Sequence, residues 1–379
     1  MNRSSKFVLY LILAVSLLAA KAGAQASQKV SAEELERYAK RVEAALKDQK
    51  IPGATVGFIH DDFVWVKAFG FSDLENEVPT RQDSAYRYAS VQKSMTAVAV
   101  LQLVEKGLID LDAEVQRYVP LYPRKKYPIT IRELLGHLSG TPHYVNRDVE
   151  QHFKDHKDTM QAIAVFSNFD LVAEPGTKFV YSSYGYNLLG AVIESVSGEP
   201  YSRYMEEHVW KPAGMASTRM DDPLDLIPHR VRGYQLKDGA LKNSEFIDVS
   251  SRFAAGGTRG TVPDLLKFMD ALNHGKLLSP QSLRLMYTPM HTRDGKISGF
   301  PNTAGYAMGW NVIHRKIGEV YTNDGGQQET RTFILSVPEK HFVMALAINL
   351  EADVYDEILF PLFELVMHEK LVDPDPRKQ

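Results

Sequence analysis

Runs of β-favouring residues stand near both ends of the chain, and helical patterns fill the middle. Ala54 to Ile59 and Phe63 to Phe69, with His60-Asp61-Asp62 between them, read as a hairpin. Glu319 to Thr322, Thr330 to Val337 and Phe342 to Leu350 return to strand character. This distribution predicts one sheet that collects strands from both ends, with helices on its faces and a helical part inserted between. The expected division is an α/β part over about 30–89 and 240–372, a helical part over about 90–239, and a tail at 373–379.

The helices have local signals. Ser31 to Leu46 opens with Ser-Ala-Glu-Glu and places Leu35, Tyr38, Ala39, Val42, Ala45 and Leu46 at amphipathic spacing. Ile129 to Leu138, Tyr186 to Val196, Val262 to Leu272 and Ser279 to Tyr287 carry similar spacing. A last amphipathic helix is expected from about Tyr355 to Glu369. Ile51-Pro52-Gly53, Gly140-Thr141-Pro142 and Pro175-Gly176-Thr177 punctuate these elements.

The first residues read as a targeting segment. Arg3 and Lys6 precede an apolar stretch from Phe7 to Ala20, and Ala22-Gly23-Ala24 supplies small residues for cleavage. Residues 1–24 are therefore expected to be a signal peptide, and the mature protein to be exported: periplasmic or secreted, and bacterial. The apolar run is short for a membrane span, which needs about 20 residues. No later segment reads as one. Loss of three cations and no acids takes the formal charge from −3 to −6. Nothing in that balance suggests a nucleic-acid partner, which would call for a basic face. With no cysteine in 379 residues, disulfides, a lipoprotein anchor and a thiol nucleophile are excluded, and the core alone must stabilise the fold.

The chemistry is signalled by Ser90-Val91-Gln92-Lys93, which opens an apolar helical run. Residues i and i+3 share a helix face. A neutral lysine there can take the serine proton and activate an otherwise weak nucleophile. Tyr181, in Phe179-Val180-Tyr181-Ser182-Ser183, is either a proton relay, its phenol pKa lowered by cations, or a core aromatic. Tyr321-Thr322-Asn323-Asp324-Gly325-Gly326 ends a strand. Its glycines either allow a backbone N–H to join that of Ser90 in an oxyanion hole or form a simple turn.

These three elements in this order resemble the serine β-lactamase and penicillin-binding protein superfamily, closest to its class C-like branch of D-aminopeptidases, carboxypeptidases and esterases. The resemblance spans about Val30 to Leu371. It includes Tyr88 to Lys93, His137-Leu138-Ser139-Gly140, Pro212 to Met215, Ala255-Gly256-Gly257 and Tyr306 to Trp310. It implies an α/β (α+β) fold: an antiparallel sheet flanked by helices plus a helical subdomain, with the site at their junction. Ser90 matches the nucleophile, Lys93 its activating lysine and Tyr181 the tyrosine that assists the leaving group. Ser183, Asn323, Gly325 and Gly326 match substrate-binding positions. Two departures stand out. Ser183 replaces the usual Asn, as in the mitochondrial β-lactamase-like protease branch. Asn323-Asp324 replaces the usual Lys or His followed by Thr, which removes a cation and adds an acid. Arg331 is either a replacement carboxylate partner or an exposed strand arginine.

The expected function is an exported serine hydrolase working through a Ser90 acyl-enzyme on small peptides, D-amino-acid amides, esters or β-lactams. No metal or cofactor is expected. The alternative is a catalytically silent penicillin- or cell-wall-binding or scaffold protein on the same fold. His152 and His156 share a helix face but lack the glutamate of the zinc-protease motif, so they are read as solvated. His137 and His143 are read as loop hydrogen-bonding residues. No Gly-x-Ser-x-Gly elbow surrounds Ser90, Ser139 or Ser182.

Overall fold

The computed structural model describes residues 30–144 and 155–371. The signal-peptide pattern, the 373–379 tail and His152 lie outside the described residues. The strands are β1 (Gly53–His60), β2 (Phe63–Asp73), β3 (Val78–Pro79), β4 (Tyr86–Arg87), β5 (Arg219–Met220), β6 (Tyr234–Lys237), β7 (Ala240–Asn243), β8 (Thr258–Gly260), β9 (Gly305–Tyr306), β10 (Asn311–Arg315), β11 (Gly318–Gln327), β12 (Thr330–Val337) and β13 (Phe342–Ile348). Eight of them form an antiparallel sheet in the order β3-β2-β1-β13-β12-β11-β10-β9. The two ends of the chain join where β1 pairs with β13, Ala54 opposite Ile348.

Alternation along these strands sorts the core onto two faces. On β13, Met344, Leu346 and Ile348 face one cluster, and Val343, Ala345 and Ala347 face the other. The first cluster is closed by the Ala32–Asp48 and Phe360–Met367 helices, through Leu35, Val42, Leu362 and Phe363. Ser31 caps the earlier helix in a capping box with Glu34, as its sequence predicts. The second face meets the Val262–Asn273 helix. It comes so near that a side chain at Gly57 would stand 3.2 Å from Leu266 Cδ1.

The Gln92–Glu105 helix lies at the heart of the helical part, with Gln92 through Leu101 and Leu103 buried. Burial on all sides fits its nearly continuous apolar sequence. Its polar exceptions are satisfied: Gln92 donates to Phe253 O at 2.6 Å and Thr96 to Ala254 O at 2.7 Å.

Four expectations are corrected. The helix expected over Ile129–Leu138 is only Ile131–Leu135, because His137 takes a positive φ of 57° and redirects the chain. The C-terminal helix is split into a π-turn, Tyr355–Leu359, and an α-helix, Phe360–Met367, with Pro361 in its first turn. The segment expected to be helical also contains β5 and β6. Finally, β11 does not stop at Thr322. Cross-strand pairing carries it through Gly325 and Gly326, opposite Thr332 and Arg331, and the turn comes at Glu329 with φ +82°. The glycine pair is therefore strand, not turn.

Candidate active site

Ser90 sits in a short 3₁₀ turn, Ala89–Val91, immediately before the Gln92–Glu105 helix. Ala89 has φ +48°, a left-handed conformation unusual for a residue with a side chain. That turn presses against β11. A Cβ added to Gly325 would stand 2.9 Å from Ser90 N and 3.0 Å from Ala89 Cβ, so only glycine allows the approach. The Ser90 amide nitrogen and β11 are thereby brought into close approach, which an oxyanion hole built from the two segments requires.

Lys93 is fully buried, and its Nζ donates to Ser90 Oγ at 2.8 Å and to Ala255 O at 3.0 Å. Burial holds its pKa well below the usual lysine value, and the nearby Arg252 guanidinium pushes it the same way; Asp324 opposes weakly. The amine is thus set up to be neutral and basic. It also lies 5.0 Å from the centre of the Tyr181 ring.

Tyr181 reaches Ser90 from the far side of the sequence, and the two side chains line the same cleft. The cations expected to lower its pKa do not decide it: enclosure of its hydroxyl raises the pKa, and the Ser90 contact offsets only part of that. Tyr181 is therefore a neutral phenol that can pass a proton. Its segment is held by two histidines. Ser182 N donates to His137 Nδ1 at 3.1 Å, and Ser183 N to His143 Nδ1 at 3.2 Å. Both rings then carry their proton on Nε2 when neutral. Burial and the Lys93 charge hold both pKa values down, His143 to about 3, although the His143 ring is open to the cleft.

Ser90, His143, Tyr181, Asp324, Gly326 and Arg331 line one cleft of about 460 Å³. Ser183 lines an adjoining hollow with Ser90 and Arg252. Asn323 touches the cleft but is only 5% exposed, and its amide donates to Ser94 Oγ at 2.8 Å and Gly309 O at 3.0 Å. It ties β11 to the helix beneath. Arg331 is three-quarters buried rather than an exposed strand arginine, and lies 3.3 Å from Asp353. A larger hollow of about 650 Å³ elsewhere includes none of Ser90, Lys93 or Tyr181 in its lining. Among the described residues no group of three or more His, Cys, Asp or Glu is placed to hold a metal, and no helix is long and apolar enough to cross a membrane.

The family model described as Beta-lactamase matches residues 38–362. The chain belongs to the Beta-lactamase family. It is 29% identical over 351 residues to the human serine beta-lactamase-like protein LACTB, mitochondrial, covering 70% of this chain and 63% of that protein. The chain thus spans less than two thirds of that relative. The octameric penicillin-binding protein homologue from Pyrococcus abyssi superposes with a TM-score of 0.77 at 25% identity, over 89% of this chain and 78% of its own. A D-stereospecific amidohydrolase from Streptomyces sp. gives 0.73 at 26%, over 85% and 96%. This Beta-lactamase family fold is a serine hydrolase fold.

Four participants were not singled out as site residues by the sequence. The Ala255 carbonyl that holds Lys93 lies in the Ala255-Gly256-Gly257 stretch, which is a visible family match. Arg252, three residues earlier, carried no signal. His137 and His143 do serve loop hydrogen bonds, and the loop they hold is the one that delivers Tyr181.

Proposed function

We propose that the protein is a serine hydrolase that cleaves amides or esters through an acyl-enzyme on Ser90. The observation that carries this reading is the 2.8 Å contact between a fully buried Lys93 amine and the Ser90 hydroxyl. Lys93 Nζ takes the Ser90 proton as Oγ attacks the substrate carbonyl carbon. The carbonyl oxygen becomes an oxyanion beside the backbone amides of the Ser90 turn and β11. The proton then moves from Lys93 through Tyr181 to the leaving nitrogen or oxygen, the carbonyl–leaving-group bond breaks, and the acyl group stays on Ser90. In the second half, water gives a proton back along the same groups, attacks the ester and restores the Ser90 hydroxyl.

The substrates proposed are small peptides, D-amino-acid amides and simple esters. The Streptomyces neighbour, a D-stereospecific amidohydrolase, supports the amide class. β-Lactams fit less well, because Asn323 and Asp324 bring no cation to a ligand carboxylate. Export to the periplasm or medium is proposed from the basic-apolar-small pattern of residues 1–24. A silent binding protein would have no need to keep Lys93 buried against Ser90.

The test is intact-protein mass spectrometry after mixing with p-nitrophenyl esters, D-alanyl peptides and nitrocefin. A transient acyl mass on the peptide containing Ser90, lost in Ser90→Ala, supports the reading. No covalent species with any of them, and unchanged turnover in Ser90→Ala, overturns it.

A further inference from the structure

We infer that Asp324 is a specificity-determining residue: it anchors a free α-ammonium group on the substrate, so that the cleft selects amino-acid amides and esters over their N-acylated counterparts. This inference rests on the acyl-enzyme reading of Ser90 and names the substrate class for that site.

The placement comes from strand geometry. Side chains alternate along β11. Asn323 and Gly325 are buried toward the Ser90 turn, whereas Asp324 and Gly326 are exposed to the cleft. Asp324 is the residue next to Gly325, which packs directly on Ser90, and both Asp324 and Ser90 line the same cleft. A carboxylate is therefore held close to the carbonyl that Ser90 would attack.

Its charge is met only at a distance, by Arg331 and Lys93. Among the described residues, no lysine, arginine or histidine forms an ion pair with Asp324. Arg331, on the same side of the sheet as the partner of Gly326, is instead paired with Asp353 at 3.3 Å. Burial shifts Lys93 toward its neutral form, which weakens it as a counter-charge. Crowding between the cleft walls raises the Asp324 pKa, and Arg331 and Lys93 draw it back only in part. A carboxylate kept in a narrow cleft without a direct ion pair costs stability until a ligand brings one. An ammonium would supply that charge. A ligand carboxylate would be opposed.

The facing wall suits the rest of such a substrate. Tyr181, Phe300 and Tyr306 form a run of rings, with centroids 5.6 Å apart for Tyr181–Phe300 and 6.3 Å for Phe300–Tyr306. Their faces take an apolar side chain and add attraction for a cation. Polar recognition on one wall and apolar recognition on the other is the usual division in a small-molecule site.

The experiment measures how fast a fluorophosphonate labels Ser90 in the presence of D-phenylalaninamide or N-acetyl-D-phenylalaninamide. Protection reads binding and needs no turnover. The expected result is protection by the free amine at concentrations about 10- to 100-fold lower than by the acetylated amide, since a charge-assisted bond is made by only one of them. Asp324→Asn should abolish that preference while Ser90 still labels. Equal protection by both amides, protection by neither, or a preference unchanged in Asp324→Asn overturns the inference and leaves the hydrolase reading standing. No labelling of Ser90 in the parent protein would overturn both.

Discussion

Lys93 Nζ stands 2.8 Å from Ser90 Oγ and is anchored on its other side by the Ala255 carbonyl at 3.0 Å. Two acceptors fix the amine, so its lone pair has a single useful direction once a proton is lost. Lys93→Ala is therefore expected to lower turnover of a chromogenic ester by about 10²–10⁴-fold, with a far smaller effect on binding of an unreactive analogue. Steady-state kinetics beside equilibrium binding check this. A loss of only a few-fold in turnover would remove Lys93 as the base.

Arg252 lies close enough to Lys93 to disfavour its protonation, second to burial itself. A general base must be deprotonated, so activity falls as pH drops through the Lys93 pKa. Removing the guanidinium in Arg252→Gln lets that pKa rise. The acidic limb of kcat/KM should move to higher pH, with little change on the plateau. A limb that stays in place while the plateau drops would mark Arg252 as structural only.

Gly325 passes the nucleophile turn with no room for a side chain. Gly325→Ala must push β11 or the Ser90 turn aside by several tenths of an ångström. Because removal of one oxyanion donor costs about 10²–10³ in kcat, a displacement of both donors should cost at least as much. Circular dichroism should stay native. Activity within about threefold of the parent would show that the approach is not used, an outcome opposite to what the oxyanion geometry requires.

Asp221 tests the scaffold. It is buried among Arg87, Arg230 and Arg259, at 2.5, 3.1 and 2.8 Å, and Glu329 joins Arg259 at 2.8 Å. Burial alone would raise its pKa, but the guanidiniums of Arg259 and Arg87 hold it far below the usual carboxylate value. Its stabilising contribution is thus present above the unfolded Asp pKa of about 3.9 and is lost as pH falls toward the folded value. Asp221→Asn leaves guanidiniums without their counter-charge and should cost about 3–5 kcal/mol in urea unfolding at neutral pH. A change under about 1 kcal/mol would contradict the account, being no larger than that of an exposed pair.

What the sequence made legible was local. The Ser90–Lys93 spacing is one helical turn, and the capping box at Ser31 spans three residues, so both are readable from neighbours alone. The sheet seam was legible as strands at both ends, because the alternation on β13 matches its two faces. Long-range partners were not legible. Ala255 meets Lys93 across 162 residues, and His137 meets Ser182 across 45. Gly325 and Gly326 imitate a turn in one dimension, whereas pairing with Thr332 and Arg331 makes them strand. Asn323 looked like a substrate donor, yet its amide hydrogens are taken up by Ser94 and Gly309, the latter 14 residues away.

The central claim is that a buried, neutral lysine makes Ser90 nucleophilic, and the pH dependence of Ser90 phosphonylation by a fluorophosphonate tests it most directly. The account predicts a labelling rate that levels off well below pH 10.5, the ordinary lysine value, and falls by at least about 10²-fold in Lys93→Ala. A rate that keeps climbing through that pH in the parent protein, or one that Lys93→Ala leaves unchanged, would contradict it.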